Sequence, residues 1–450
     1  MRKFFGTDGI RGVAGVAPLD PESLVRLGKA IATVFLQQGG RHRVLIGKDT
    51  RLSGYMIETA LSAGITACGA DLMLVGPLPT PGVAYLTKSM RADAGIVVSA
   101  SHNSFEDNGI KIFGADGFKL ADGIEQELER LMQPGVLDHK IAASDGFGKA
   151  VRINDAVGRY TVFLKSCFPR ELSLSGLKIG VDCANGASYV VAPQTFSELG
   201  AEVVSRGVSP NGRNINAGFG SLHPEVVSRL VLEQGLDVGV AFDGDADRLM
   251  LVDEKGAVHD GDVVLAICAI DLKNRGKLRN PLAVGTVMSN LGLERLLADN
   301  GIKLVRSAVG DRYVLEEMQK TGAQIGGEQS GHCIFSDLSS TGDGLLSALQ
   351  VLGVMGRTGK KLSELAGMLV RYPQQMVNIT VSKRVPFTEV PRLERMIADT
   401  EASLGKAGRL LVRYSGTEMK VRVMVECDNA DRCNQTVNAV ADVVRAELAS

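Results

Sequence analysis

The feature that most constrains the fold of this chain is an internal repeat, because one order of apolar and amphipathic segments occurs three times. Each copy begins with an apolar run that leads into a small polar turn, at residues 43–49, 178–185 and 282–290. An amphipathic stretch with helical spacing follows, at 57–68, 190–199 and 291–300. A second apolar run comes at 71–75, 201–205 and 302–305, and a third at 94–98, 238–242 and 323–325.

This order predicts strand, helix, strand, helix, strand, which is typical of a mostly parallel sheet covered by helices. The amphipathic stretches stop at glycines, where the residue after a helix often needs a positive φ: Gly69, Gly200 and Gly301. After residue 376 the pattern changes to alternating apolar runs and one long amphipathic stretch at 431–448, which predicts a smaller α+β domain.

We therefore expect an α/β protein with three related α/β domains, whose sheets are mixed and mostly parallel, and a smaller C-terminal α+β domain. The expected domains cover residues 1–150, 151–252, 253–368 and 369–450. A Tyr372-Pro373 pair before the last domain predicts a hinge there.

Composition excludes several classes of partner. The 450 residues carry a net charge of −1 and no long basic block, so we do not expect nucleic acid to bind. The longest apolar run, 263–270, is much shorter than the roughly 20 residues of a membrane span. Seven scattered cysteines without a Cys-x-x-Cys pair argue against a disulfide framework and a zinc site, and fit a reducing cytoplasm. The oligomeric state stays open, with a homodimer as one option.

In each repeat, the loop that follows the third strand is among the most polar in the chain. Ligands bind at the carboxyl ends of strands in open α/β sheets, so these loops are candidate sites. The loop in the second domain holds Asp243, Asp245 and Asp247, whose mutual repulsion a cation would offset. Oxygen ligands of this kind suit Mg²⁺, so the loop predicts a metal site. The alternative is a solvated acidic turn.

The loop in the first domain offers a hydroxyl, an imidazole and a cation in Ser101, His102 and Lys111. Most loop serines are only turn residues. If this loop met the acidic loop, however, Ser101 could carry a phosphoryl group whose charge Mg²⁺ would offset. His102 is expected to be a packing or hydrogen-bonding residue.

The remaining polar loops suggest how a phosphorylated sugar could be held. In the third domain, Glu328 and Ser330 can bond vicinal hydroxyls, and His332 can either orient the loop or transfer protons. In the last domain, a guanidinium, hydroxyls and backbone N–H groups fit a phosphate dianion, although the segment could also be an ordinary hairpin turn. Its candidate residues are Arg413, Ser415, Gly416 and Thr417.

Six motifs together resemble the α-D-phosphohexomutase family over essentially the whole chain, and within it the bacterial branch that acts on glucosamine phosphates. They are FGTDGIRG at 5–12, SASHN at 99–103, NGIKIF at 108–113, DGDADR at 243–248, GEQSGH at 327–332 and RYSGTE at 413–418. The chain departs from the family at Ser104 and Met419, where proline is frequent, and this affects loop stiffness rather than chemistry.

The resemblance implies a heart-shaped enzyme with its active site between all four domains. Ser101 would be a phosphoserine that gives its phosphoryl group to O1 of a 6-phosphosugar, and a hexose 1,6-bisphosphate would turn around and return the group from C6. Glucosamine 6-phosphate and glucosamine 1-phosphate would be interconverted, which supplies amino-sugar nucleotide and cell-wall precursors.

The resemblance also implies a role for each candidate residue. Mg²⁺ would be bound by the Ser101 phosphate with Asp243, Asp245 and Asp247. The transferring group would be neutralised by Arg11 and Arg248, and Lys111 would be the general acid/base. Glu328 and Ser330 would bind sugar hydroxyls, and the loop at 413–417 would hold the other phosphate.

Three alternatives remain at this stage. The sugar could be mannose or glucose phosphate, since the amino-sugar preference rests on overall similarity and on Gln329. Asp243 could be the nucleophile of a Mg²⁺-dependent phosphatase, because an apolar strand leading into Asp-x-Asp also fits that reaction. The chain could also be a silent sugar-phosphate-binding regulator.

Overall fold

The computed structural model describes residues 4–6, 8–36, 42–415 and 418–449. The first sheet consists of β1 (Phe5–Gly6), β2 (Gly9–Val13), β3 (Arg43–Lys48), β4 (Asp71–Pro77), β5 (Ala94–Val98), β6 (Asp107–Gly114) and β7 (Ala150–Arg152). The helices around it are α1 (Pro21–Phe35), α2 (Ser53–Ala67), α3 (Thr80–Ser89) and α4 (Asp122–Leu131). The strand order is β1-β2-β6-β5-β3-β4-β7.

The second domain repeats this design with fewer strands. In chain order it contains α5 (Ala156–Ser166), β8 (Lys178–Asp182), α6 (Val191–Glu198), β9 (Glu202–Arg206), α7 (Glu225–Gln234), β10 (Val238–Phe242), β11 (Leu249–Asp253) and β12 (Val258–His259). Its sheet has the order β12-β11-β10-β8-β9.

The third domain contains α8 (Gly261–Asn274), β13 (Leu282–Thr286), α9 (Leu291–Asp299), β14 (Lys303–Ser307), α10 (Asp311–Thr321), β15 (Ile325–Gly327), β16 (Cys333–Phe335), α11 (Gly344–Thr358) and α12 (Leu362–Ala366). Its sheet order is β14-β13-β15-β16. The fourth domain contains β17 (Gln374–Thr380), α13 (Pro391–Leu404), β18 (Gly408–Tyr414), β19 (Lys420–Cys427) and α14 (Ala430–Leu448). Its antiparallel sheet has the order β17-β19-β18.

The three larger sheets share one local arrangement, which confirms the predicted fold class. In each sheet the first strand of the repeat lies in the middle, between the second and third strands and parallel to both. The third strand then pairs with the next strand in antiparallel direction, as β5 with β6, β10 with β11 and β15 with β16. Each polar loop therefore connects a third strand to its antiparallel neighbour at one edge of the central strands.

Most predicted elements occur within a few residues of the expected positions. Gly69, Gly200 and Gly301 have φ of 95°, 103° and 62°, as a helix end requires. The expected strand at 323–325 is displaced to Ile325–Gly327. The reason is that Ala323 lies just beyond α10 in its C-terminal cap, where its N–H donates to the Met318 carbonyl after Gly322 turns the chain.

The domain boundaries expected at 150, 252 and 368 stay predictions. Strand β7 pairs with β4 and so extends the first sheet to Arg152, and β12 extends the second sheet to His259. The apolar run at 263–270 is the buried part of α8, and within the described ranges we find no helix with the length and hydropathy needed to cross a membrane. One disulfide bond joins Cys427 and Cys433, and the other five cysteines are free.

The fourth domain is packed separately from the rest. One apolar core extends from the first domain to the third, around residues such as Phe113, Phe242 and Leu349. The fourth domain has a core of its own on the other side of the expected hinge. At that hinge, the Asn290 carboxamide accepts the Tyr372 N–H at 2.9 Å and donates to the Tyr372 carbonyl at 3.0 Å. The hinge movement itself stays a prediction.

Helices α1 and α2 approach so closely that only glycine fits at their contact. A Cβ atom on Gly64 would lie 2.2 Å from the Val25 carbonyl oxygen, and one on Gly28 would lie 2.5 Å from the Leu61 carbonyl oxygen. We expect Gly64→Ala to force the helices apart and to lower the free energy of unfolding by about 2 kcal/mol. The matched control is Gly158→Ala in α5, where a Cβ would contact nothing within 4 Å. Thermal unfolding checks this, and equal midpoints for the two variants would contradict it.

Candidate active site

The three polar loops meet at a cavity between the first three domains. The cavity has a volume of about 830 Å³. The candidate residues that line it are Arg11 and Ser101 from the first domain, Asp247 and Arg248 from the second, and Glu328, Ser330 and His332 from the third. The tertiary structure thus brings together residues that are more than 200 positions apart in the sequence.

Ser101 lies in direct contact with the acidic loop, as its assignment to phosphoryl chemistry requires. Its hydroxyl Oγ donates to Asp243 Oδ2 at 2.5 Å, and the residue is 1% exposed. Its backbone has a φ of 51°, which side chains other than glycine rarely adopt. A strained, buried hydroxyl against a carboxylate is typical of a functional position.

Asp243, Asp245 and Asp247 form the one group of carboxylates that could hold a metal ion within the described residues, with one oxygen from each lying within 4.8 Å of the others. All three side chains are buried. Burial, followed by the fields of Asp247 and Asp245, raises the pKa of Asp243 well above its usual value. Oδ1 of Asp245 and Oδ1 of Asp247 are buried without a hydrogen-bond partner. Unpartnered oxygens on two of the three carboxylates fit a hard divalent cation.

Lys111 supplies the positive charge behind these carboxylates. Its Nζ lies 3.0 Å from Asp245 Oδ2, 3.1 Å from Asp247 Oδ2 and 3.3 Å from Asp8 Oδ2, and the side chain is 2% exposed. Burial by itself lowers the pKa of Lys111, but the fields of Asp245, Asp247 and Asp8 outweigh it and raise the pKa well above the usual value. Lys111 is therefore protonated in the state that the structure describes.

Sequence reasoning missed three charged residues beside Lys111. Asp8 accepts from Arg11 Nη2 at 2.5 Å and from Lys119 Nζ at 2.5 Å, and Lys119 also bonds Asp311 in the third domain. Burial raises the pKa of Asp8, but the two lysines and Arg11 lower it well below its usual value. Asp8 belongs to the FGTDGIRG motif at 5–12, and this motif could have indicated it as a site residue. Nothing in the sequence indicates that Lys119 pairs with Asp311.

Thr80 is a further contact of the acidic loop that the sequence did not indicate. Its hydroxyl donates to Asp245 Oδ2 at 2.6 Å, and its N–H donates to the Asp245 carbonyl at 3.0 Å. Both bonds come from the beginning of α3 in the first domain. They fix the orientation of one carboxylate across the boundary between the first two domains.

The two histidines of the site differ in their surroundings. His102 Nδ1 lies 3.4 Å from Ser101 Oγ, and burial followed by the fields of Arg248 and Arg11 lowers its pKa to about 4. It is neutral at pH 7 and a weak base, as its assignment to packing or hydrogen bonding predicts.

His332 lies between two carboxylates. Its Nδ1 is 3.8 Å from Asp247 Oδ2, its Nε2 is 3.8 Å from Asp311 Oδ2, and the Gly342 N–H donates to Nε2 at 3.2 Å. Burial lowers the pKa of His332, but Asp247, Asp311 and Glu328 outweigh it and raise the pKa. The contacts with Asp247 and Gly342 favour the orienting role over proton transfer.

The third-domain loop presents polar atoms to the cavity. Glu328 Oε1 accepts the Gly310 N–H at 2.9 Å, so its carboxylate is fixed at the wall. Ser330 Oγ and Arg248 Nε are buried without a hydrogen-bond partner. An acceptor and two unpaired polar groups facing one cavity are suited to a hydroxylated, anionic ligand.

The expectation that all four domains enclose the site stays a prediction. The residues that line the cavity belong to the first three domains, and the described candidates Arg413 and Ser415 are not among them. The candidates Gly416 and Thr417 lie outside the described residues. Burial and the neighbouring Arg422 lower the pKa of Arg413, which indicates local positive charge that an anion would stabilise.

Comparisons with known proteins agree with this architecture. Four models of the phosphoglucomutase/phosphomannomutase family match in order: alpha/beta/alpha domain I at 2–135, domain II at 159–256, domain III at 260–372 and the C-terminal domain at 376–443. The phosphoglucosamine mutase of Geotalea daltonii is 54% identical, covering 100% of this chain and 99% of its own. That of Syntrophotalea carbinolica is 53% identical, covering 99% and 98%.

Solved structures show the same fold. A phosphoglucomutase/phosphomannomutase family protein from Burkholderia thailandensis has a TM-score of 0.82 and 25% identity, covering 99% of this chain and 97% of its own. The Aspergillus fumigatus N-acetylphosphoglucosamine mutase, solved in complex with GlcNAc-6P and magnesium, has a TM-score of 0.70 and 16% identity, covering 99% and 96%.

The charge balance around Lys111 gives a prediction about metal binding. We expect Lys111→Gln to lower the free energy of unfolding of the metal-free protein by about 3 kcal/mol, because it leaves buried carboxylates without their cation. We also expect Mg²⁺ to raise the midpoint of thermal unfolding more in this variant than in the wild type. Midpoints in a chelator and in Mg²⁺ measure both effects, with the exposed Lys88→Gln as control. A metal-free variant as stable as the wild type would contradict the prediction.

Proposed function

Because this chain belongs to the phosphoglucomutase/phosphomannomutase family, and within it to the phosphoglucosamine mutases, we propose that it interconverts glucosamine 6-phosphate and glucosamine 1-phosphate. It is an isomerase of the phosphohexomutase type. The observation that carries the proposal is the buried Ser101 hydroxyl, 2.5 Å from Asp243 Oδ2 at the cavity where the loops of three domains meet. The reaction supplies amino-sugar nucleotide and cell-wall precursors.

The proposed reaction consists of two phosphoryl transfers. In the first, the bond between phosphorus and Ser101 Oγ breaks, a bond to O1 of the 6-phosphosugar forms, and the O1 proton passes to a base. The resulting hexose 1,6-bisphosphate turns around in the cavity. In the second transfer, Ser101 Oγ receives the phosphoryl group from O6, and O6 is protonated. The product is the 1-phosphate, and Ser101 is again a phosphoserine.

The acidic loop supports this chemistry through charge. Asp243, Asp245 and Asp247 would hold Mg²⁺ together with an oxygen of the Ser101 phosphate, and their unpartnered oxygens fit such an ion. A bound Mg²⁺ would offset the negative charge of the transferring group and of the carboxylates, and would lower the cost of removing a proton from Lys111. Ser101 and the aspartates are fixed relative to one another before substrate binds, which alignment-dependent phosphoryl transfer requires.

Lys111 is proposed as the residue that exchanges a proton with the sugar oxygens. The carboxylates around it raise its pKa in the metal-free protein, so it is protonated there. A bound Mg²⁺ would lower this pKa and so make Lys111 a better proton donor to the leaving O6. Asp8 also contacts the lysine, with its Oδ2 lying 3.3 Å from Nζ. Arg11 and Arg248, both lining the cavity, stabilise the three equatorial oxygens of the transferring group.

Substrate binding is assigned to the third and fourth domains. Glu328 and Ser330 bind sugar hydroxyls, and they serve both orientations of the bisphosphate because vicinal hydroxyls present similar pairs of donors from either side. Arg413 and Ser415, with Gly416 and Thr417, hold the phosphate that is not being transferred. We propose that the fourth domain moves toward the cavity with the segment at Tyr372 as the hinge, which is consistent with the absence of Arg413 and Ser415 from the cavity wall.

His332 remains a candidate catalytic residue, and its proposed role is to orient the Asp247 carboxylate. Three expectations stay predictions. They are the cytoplasmic location, the absence of nucleic-acid and membrane partners, and the homodimer as one option for the oligomeric state. The mannose and glucose phosphates are disfavoured as substrates, because the relatives at 53–54% identity over the whole chain are named phosphoglucosamine mutases.

The proposal is tested by incubating the protein with Mg²⁺ and a trace of hexose 1,6-bisphosphate, and then supplying glucosamine 6-phosphate or glucose 6-phosphate separately. We expect phosphorus NMR to show glucosamine 1-phosphate forming much faster than glucose 1-phosphate. Preference for glucose would overturn the substrate assignment, and release of inorganic phosphate alone would favour the phosphatase.

Replacing the acceptor serine tests the mechanism itself. We expect Ser101→Ala to lose turnover to the background rate and to lack a phosphoenzyme in intact-mass spectra, because Ser101 is the proposed carrier of the phosphoryl group between the two transfers. The matched control is Ser104→Ala, an exposed serine of the same loop, which should retain both. Full turnover in the Ser101 variant would rule the mechanism out.

A further inference from the structure

A buried ion pair that has no role in the proposed reaction lies directly beneath Ser101. It follows β3, the middle strand of the first repeat, and consists of Asp49 and Arg51, both 0–1% exposed. Arg51 Nε donates to Asp49 Oδ2 at 2.8 Å, and the Arg51 N–H donates to Oδ1 at 2.9 Å. Because β3 is hydrogen-bonded to β5, the turn after β3 lies next to the loop that carries Ser101.

The remaining N–H groups of the Arg51 guanidinium are all directed at that loop. Nη2 donates to the carbonyls of Ser101 at 3.0 Å and Asn103 at 2.8 Å. Nη1 donates to the carbonyl of Asp107 at 3.1 Å and contacts the carbonyl of Ser104. One planar cation therefore binds three backbone carbonyls of the loop between β5 and β6 and one at the first residue of β6.

The carboxylate of the pair holds the other side of the same residue. Asp49 Oδ2 accepts the Ser99 hydroxyl at 2.7 Å, and Ser99 Oγ accepts the Ser101 N–H at 2.9 Å. Asp49 thus fixes the N–H of Ser101 through Ser99, while Arg51 fixes its C=O. Both peptide groups that flank the Ser101 side chain are held by one charged pair.

A residue of the second domain completes the arrangement. Asn216 Nδ2 donates to the Ser101 carbonyl at 2.8 Å and to the Asn103 carbonyl at 2.9 Å, the two carbonyls that Arg51 Nη2 also binds. Asn216 has a φ of 60° and is partly exposed. The loop is therefore held from the domain that also carries Asp243.

A buried ion pair is a poor source of stability, because removing two charges from water costs about as much as their attraction returns. What this pair determines is geometry, since a φ of 51° at Ser101 persists only where its surroundings fix it. Relaxation of Ser101 to an ordinary φ would rotate its side chain away from Asp243. In the structure, Ser101 Oγ lies 2.5 Å from Asp243 Oδ2.

We propose that Asp49, Arg51 and Asn216 are positioning residues that hold the Ser101 backbone in its left-handed conformation. In this conformation Ser101 Oγ faces the acidic loop, and a phosphoryl group on it would be in line with the sugar oxygen. The inference rests on the proposed function of Ser101 as the phosphoryl carrier. These three residues would affect the rate of phosphoryl transfer. They would not affect substrate binding, since none of them lines the cavity.

The test uses Asn216→Gly in the full-length protein, because glycine accepts the positive φ and removes only the two donated bonds. We expect kcat to fall about tenfold and KM for glucosamine 6-phosphate to stay within about twofold, since misplacing a reacting group affects transfer more than binding. Transfer from isolated phosphoserine enzyme to substrate, measured in a single turnover, should slow by the same factor. The control is Asn211→Gly, whose side-chain oxygen accepts the Arg213 N–H within the same loop and should leave all three values unchanged.

A second variant, Arg51→Lys, keeps the charge but cannot form the fork of bonds, and we expect kcat to fall about a hundredfold. The proposal would be overturned if Asn216→Gly left kcat unchanged or changed KM by as large a factor as kcat. An equal fall of kcat in the Asn211→Gly control would also overturn it. Failure of the proposed function is seen separately, as a wild-type protein without mutase turnover or without phosphorylated Ser101.

Discussion

The site depends on one electrostatic arrangement, the cation of Lys111 among the carboxylates of Asp245, Asp247 and Asp8. Buried carboxylates at this separation repel one another strongly, and burial weakens the screening that water would provide. Lys111 offsets part of this repulsion, while one oxygen of Asp245 and one of Asp247 have no hydrogen-bond partner. The same excess of negative charge suits a divalent cation at this place.

The repeated α/β unit explains how such a site is assembled. In each unit the polar loop connects the third strand to an antiparallel neighbour, and the turn after the first strand lies beside it. The first unit uses its turn to hold Ser101 through Arg51, and in the second unit the Ala187 N–H after the corresponding turn donates to the Gly244 carbonyl of the acidic loop. One architecture thus supplies both a polar loop and its support, and the side chains of the polar loops differ between the copies.

The fourth domain stands apart because its core is separate and its contact with the third domain is polar. Arg409 donates to the carbonyls of Val287 at 2.9 Å and Ser289 at 2.8 Å, in the segment that follows β13 and contributes Met288 to the cavity wall. Polar contacts of this kind can be exchanged for water at less cost than an apolar core can be opened. A separate core and these polar contacts are compatible with the proposed hinge at Tyr372.

The sequence by itself determined the repeat, the three polar loops and the aspartate group, because strand and helix periodicity and the spacing of carboxylates within one loop are local properties. Motif resemblance added the role of each loop. It did not indicate that Asp49 and Arg51 support Ser101, that Lys119 joins Asp8 to Asp311, or that Arg413 lies outside the cavity. Ser101 and Asp243 are 142 residues apart, and only the strand order of two sheets and the packing of their domains brings them to 2.5 Å. Such contacts depend on long-range packing, which leaves no period in the chain, so the tertiary structure alone decided them.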